Sequence, residues 1–161
     1  IIDSYYSHPH KPGLEPDADG RLREAFRVRA KQDQGYVTYK RDYFDADDVW
    51  LYSDEWETKI QDVDIMKSLA ENLGFQKLVT IDCVKYYFKD NEYEIVVEEV
   101  EGLGSFVEVE YQGDQNDLSN HEQVEARKAL MRDYLNSFGV EIGAELQSGK
   151  PELMLRQMAR I

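Results

Sequence analysis

Three stretches of this chain set charged side chains two residues apart, the spacing that puts them on one face of a β-strand. Arg27 and Arg29 stand so in FRVR, Glu55, Glu57 and Lys59 in DEWETKI, and Glu108 and Glu110 in GSFVEVEY. Two carboxylates spaced this way, ~7 Å apart at the backbone, can converge on a hard divalent cation, while two guanidiniums can grip phosphate oxygens. Thr38 shares a face with Lys40, and Cys83 with Lys85. The ordinary alternative in each case is a half-buried strand whose charges face water, and spacing alone leaves both readings open.

The elements that would hold these residues are mostly strands. Residues 93–111 read as a hairpin: Ile95, Val96, Val97 and Val100 on one arm and Phe106, Val107, Val109 and Tyr111 on the other flank a Glu-Gly-Leu-Gly turn. Residues 21–30 and 35–40 read as two strands joined by Gln-Asp-Gln-Gly, residues 1–6 and 54–60 as further strands, and residues 41–51 as a surface loop or irregular strand. Residues 78–88 form another strand, turned back at Asp90-Asn91. Residues 62–73 predict an amphipathic helix with Ile65, Met66, Leu69 and Leu73 on its apolar side, Asp62 as cap and Gly74 as stop. A second helix spans residues 119–138, with a Ser119/Glu122 capping box and a stripe of Val124, Arg127, Met131, Tyr134, Leu135 and Phe138. A short third helix starts near Pro151. Three of the four prolines fall in or beside residues 7–20, which read as a mobile loop; its His8 and His10 are given no chemistry.

Composition narrows the classes of function. A chain of 161 residues, 42% hydrophobic, fits one domain with a real core. With 19 basic against 33 acidic residues it carries a formal charge of −14, which repels a nucleic-acid backbone but not a small phosphorylated ligand bound at gathered cations. Cys83 is the only cysteine, and no apolar run reaches the ~20 residues of a membrane span, so the expectation is a cytoplasmic protein without a membrane partner. The chain opens on Ile1 without a basic-then-apolar leader, which suggests upstream residues rather than a targeting signal.

The order FRVR, TYK, EGLGSFVEVE resembles the CYTH family of triphosphate tunnel metalloenzymes, in its class IV adenylyl cyclase and thiamine triphosphatase branch. FRVR and TYK are similar to the family's LRxR and TxK strands, and IIDSYYSHP to its QxDxYF segment, with Ile1 at the Gln position. DEWETKI imitates the opening E-x-E-x-K strand but sits mid-chain, so it reads as the counterpart in the second half of a pseudo-repeat, the opening copy being expected upstream of residue 1. The resemblance implies an α+β fold: an antiparallel β-barrel forming a tunnel with a charged interior and helices packed outside. It implies phosphate contacts from Arg27, Arg29, Lys40, Lys59 and Lys85, the catalytic set being Arg27, Arg29, Lys40 and Lys85, and Mg²⁺ or Mn²⁺ held by Glu55, Glu57, Glu98, Glu108 and Glu110. Oxygen ligands suit both ions.

The sequence departs from its relatives in places. Aligned from the EGLG turn, the family's K-x-R pair falls on Cys83 and Lys85, an Arg on Glu94 and an Asp on Glu98, and SGKPELML lacks a Tyr of the family's C-terminal segment. One phosphate-gripping cation is lost, and Lys85 gives up the bidentate fork of an arginine. Cys83 has no evident His partner and reads as a buried inert thiol. The resemblance implies a cyclase converting ATP to cyclic AMP and pyrophosphate. Alternatives are a phosphohydrolase acting on tripolyphosphate, thiamine triphosphate or a nucleoside triphosphate, and a non-catalytic sensor of such a ligand; a homodimer is allowed.

Overall fold

A computed structural model describes residues 1–114 and 121–159. In chain order the described residues form β1 (Ile2–Ser7), β2 (Glu24–Lys31), β3 (Gln34–Phe44), β4 (Trp50–Ile60), α1 (Val63–Asn72), β5 (Gln76–Asp90), β6 (Tyr93–Val100), β7 (Gly104–Tyr111), α2 (His121–Asn136) and α3 (Lys150–Met158). The seven strands hydrogen-bond in the order β4-β3-β2-β1-β5-β6-β7, the antiparallel sheet with flanking helices expected of the α+β class. The chain divides into two compact units: Ile1–Val84 with Val100–Gly104 and the segment from Leu146, and Lys85–Glu99 with Ser105–Glu145.

In the first unit, register decides which side chains share a face. Asp3 is opposite Arg29, and Tyr5 opposite Arg27; Arg27 is opposite Thr38, and Thr38 opposite Glu57. That face is polar. The other carries Ser4, Tyr6, Phe26 and Val28, with Tyr6 and Val28 fully buried and the Phe75 ring tilted against Phe26 at 4.7 Å. α1 lies against β2, and the approach is close at Gly35, where a Cβ would meet Val63 Cγ2 at 2.6 Å and Ile60 Cγ1 at 2.8 Å.

Asp62 caps α1 by accepting from the Ile65 N–H at 2.9 Å, and Gly74 ends it at φ +94°. The buried side of α1 differs from the expected stripe. Ile65, Leu69 and Leu73 are 58%, 51% and 69% exposed, whereas Ala70 is buried and Val63 and Met66 are half-buried. The helix turns its smallest apolar residue inward and leaves its leucines exposed.

Residues 7–20 are tied down by a 3₁₀ turn at Pro12–Leu14, by burial of Leu14, and by the Asp17 carboxylate, which accepts from the N–H groups of Asp19 and Arg21. His8 sets its ring edge-on to Phe75 at 4.8 Å. β3 and β4 are longer than expected, taking in much of residues 41–51; their turn is closed by Asp45, which accepts from the N–H groups of Asp47 and Val49. α3 carries Pro151 in its first turn, and its buried Glu152 accepts from the Leu22 N–H at 2.7 Å.

The expected hairpin is present, β6 and β7 meeting at a turn where Gly102 and Gly104 adopt φ +79° and +103°. Val124, Arg127, Met131, Tyr134 and Leu135 of α2 are half-buried, and Phe138, beyond the helix end, is exposed. Tyr134 stacks on Tyr93 at 4.7 Å, and Arg127 sits over the Tyr111 ring at 3.9 Å. Ser119 of the expected capping box lies outside the described residues.

Candidate functional site

In the first unit the charged face of β1 to β4 gathers around Arg27. Its Nη2 donates to Thr38 Oγ1 at 3.0 Å and to Glu57 Oε2 at 3.1 Å, and lies 3.5 Å from Glu55 Oε1; its Nη1 lies 3.7 Å from Asp3 Oδ2. Thr38, itself buried, donates its hydroxyl to Glu57 Oε2 at 2.8 Å. Arg29 engages Asp3 as a fork, Nε to Oδ1 at 2.6 Å and Nη2 to Oδ2 at 2.7 Å. Burial alone would lower the Arg29 guanidinium, but its hydrogen bonds to Asp3 hold it above its ordinary value. Burial pushes the Tyr5 phenol up, against the pull of the Arg27 charge. Three carboxylates thus share one guanidinium, and a fourth interaction fixes its neighbour.

The second unit holds a smaller set. Lys85 Nζ lies 2.9 Å from Glu98 Oε2 and 3.9 Å from Glu108 Oε2, with Glu98 buried and Glu108 half-exposed. β5, β6 and β7 each supply one of the three residues.

The structure brings together Arg27, Arg29, Glu55 and Glu57 in one cluster and Lys85, Glu98 and Glu108 in the other. It places three expected residues apart from these contacts. Lys40 pairs with Asp42 at 3.7 Å, Lys59 is exposed opposite Tyr36, and exposed Glu110 accepts from Gln112 Nε2 at 3.2 Å. Cys83 is buried, and Glu94 pairs with Lys89 at 3.8 Å. Sequence reasoning passed over Asp3 and assigned no role to Thr38 or Tyr5. The available signal was alternation: in IDSYYS, Asp3 and Tyr5 fall on one face and Ser4 and Tyr6 on the other.

Among the described residues no three acidic, histidine or cysteine side chains converge as a cation cage. The donor chemistry nonetheless fits Mg²⁺ or Mn²⁺, since Glu55, Glu57, Glu98 and Glu108 offer hard oxygen ligands, here turned toward Arg27 or Lys85. No described helix is long and apolar enough to cross a membrane.

Each unit thus sets carboxylates against cations on its strands. The family is shown directly: the CYTH domain model matches residues 1–133, and the chain belongs to this family of metal-dependent triphosphate tunnel proteins. It is similar to a Methanocaldococcus jannaschii protein named "Putative adenylate cyclase", with 33% identity over 87 residues, 54% of this chain and 49% of that protein. The chain thus matches about half the length of that relative. Among solved structures, a Pyrococcus horikoshii protein superposes with a TM-score of 0.76 at 26% identity, covering 97% of this chain and 83% of its own. A Pyrococcus furiosus protein shares the fold with a TM-score of 0.70 at 21% identity, covering 94% and 80% respectively.

Proposed function

We propose that the chain binds a triphosphate together with Mg²⁺ or Mn²⁺ and acts as an adenylyl cyclase, forming cyclic AMP and pyrophosphate from ATP. The observation that carries this reading is the sharing of Arg27 by Asp3, Glu55 and Glu57, one guanidinium among three carboxylates, an arrangement that a polyanion and a cation could enter together by exchange. Arg27 is assigned to phosphate oxygens, with Arg29 supplying positive charge beside it and Lys40 and Lys59 as outer contacts, and Glu55 and Glu57 to the metal. Lys85 with Glu98 and Glu108 is assigned the same division of labour in the second unit, with Glu110 beside Glu108 on β7. The bound metal would neutralise charge building on the phosphates and leaving group. The side chains hold the triphosphate in line while the ribose 3′-oxygen gives up its proton to water and attacks the α-phosphorus, and the bond to pyrophosphate breaks. The name carried by the archaeal relative supports the cyclase over the hydrolase.

A second reading, ligand binding without turnover, is favoured by buried Cys83 and by the Glu94–Lys89 pair, which stand where the family resemblance would put gripping cations. One experiment separates the readings: incubation with ATP, thiamine triphosphate and tripolyphosphate in Mg²⁺ or Mn²⁺, with products identified. Cyclic AMP with pyrophosphate supports the cyclase, orthophosphate the hydrolase, and binding without product the sensor. Failure to bind any of the three rejects the triphosphate reading.

A further inference from the structure

We propose that Asp3 is a positioning residue that divides the work of the two arginines, holding Arg29 as a fixed strut and leaving Arg27 as the guanidinium that changes partners when a triphosphate binds. This rests on the triphosphate reading above. Asp3 is 3% exposed, and both of its oxygens are committed to the planar edge of Arg29. A buried fork of two short charge-assisted bonds is slow to break, because separating it leaves two desolvated charges.

Arg27 is held differently. Its contacts to Glu55, Glu57 and Asp3 are single and longer, 3.5, 3.1 and 3.7 Å, and two of these three carboxylates reach solvent. Its Nε is buried with no acceptor. A phosphate oxygen arriving beside Arg27 would replace single contacts, among them the 3.0 Å hydrogen bond to Thr38 Oγ1, and satisfy a spare donor, whereas one arriving at Arg29 would have to displace a complete bidentate pair. The Asp3 Oδ2 that accepts from Arg29 Nη2 also lies 3.7 Å from Arg27 Nη1, so one carboxylate stands between both guanidiniums.

The test uses the whole chain and metal-free inorganic tripolyphosphate in a chelator, so that it does not depend on turnover. In wild type, the ¹⁵Nε signal of Arg29 is expected to be protected from exchange and unmoved by tripolyphosphate, while that of Arg27 shifts. Asp3→Asn removes the resident anion between two guanidiniums; tripolyphosphate is then expected to bind at least threefold more tightly by calorimetry, and the protected Arg29 signal to be lost. Asp3→Glu, which keeps the charge, is expected to retain that signal and near wild-type affinity. A merely structural Asp3 would lower the thermal midpoint and weaken binding together, and that result overturns the proposal. So does an Arg29 signal that moves with ligand as far as that of Arg27. If wild type binds no tripolyphosphate, the site reading itself fails and the proposal with it; if it binds and the arginine signals behave alike, the proposal alone fails.

Discussion

Lys85 and Glu98 form a 2.9 Å ion pair whose side chains are 13% and 2% exposed, joining β5 to β6 inside the second unit. A pair so far from water is held by its own attraction against the cost of desolvating both ions. Removing one partner strands the other, so Glu98→Gln is expected to destabilise the fold by about 3–5 kcal/mol in urea denaturation. The double substitution Lys85→Met with Glu98→Leu is expected to recover much of that loss. A single-mutant cost no greater than that of a surface pair, about 1 kcal/mol or less, would show that water screens the bridge.

Arg27 and Lys40 are expected to separate in a binding assay. Arg27→Ala is expected to weaken tripolyphosphate binding by about 1.5–3 kcal/mol, the worth of a charge-assisted contact. Lys40, half-exposed and tied to Asp42 two residues on, is expected to cost less when truncated. Calorimetry on both folded variants checks this, and unchanged affinity in Arg27→Ala would return FRVR to an ordinary charged strand.

Glu108 lies 3.9 Å from Lys85 and is half-exposed, which makes it a weak structural partner and an accessible oxygen ligand. Glu108→Gln is therefore expected to abolish Mn²⁺-dependent turnover while shifting stability by no more than ~1 kcal/mol. Turnover and thermal midpoint measured on the same preparation decide it; wild-type turnover would remove Glu108 from the metal site.

The buried carboxyl of Glu152 is raised above its ordinary value of 4.5 by desolvation, against the lowering effect of the Leu22 and Gly149 N–H groups. The folded state therefore holds this proton more tightly than the unfolded chain. Its contribution to stability is full below the ordinary carboxylate range and is lost as pH rises through the raised folded value. Urea denaturation across pH 4 to 7 is expected to show this fall in wild type, and Glu152→Gln is expected to lack it. An equal slope in both proteins would mean that the group titrates normally.

Much of the local structure was legible in the sequence. Asp62 and Gly74 marked the ends of α1, the glycines of Glu-Gly-Leu-Gly marked the β6–β7 turn, and alternation put Arg27 with Arg29 and Glu55 with Glu57. These features depend on residues near one another in the chain, where backbone sterics and the pleat leave few choices. Alternation could say that charges share a face, but not which opposite charge each would meet.

That choice belonged to tertiary structure. Nothing local joins Asp3 to Arg29, which lie far apart in sequence and meet only because β1 and β2 pair in one register. A shift of one residue would have turned Asp3 toward the apolar face. The buried side of α1, Ala70 rather than the leucine stripe, was likewise decided by what the helix packs against. The sequence by itself determined the strands, their turns and the chemistry available on each face; only the tertiary structure decided the partners. Among many similar charges, pairing is settled by register, distance and desolvation, all of which depend on segments remote in the chain.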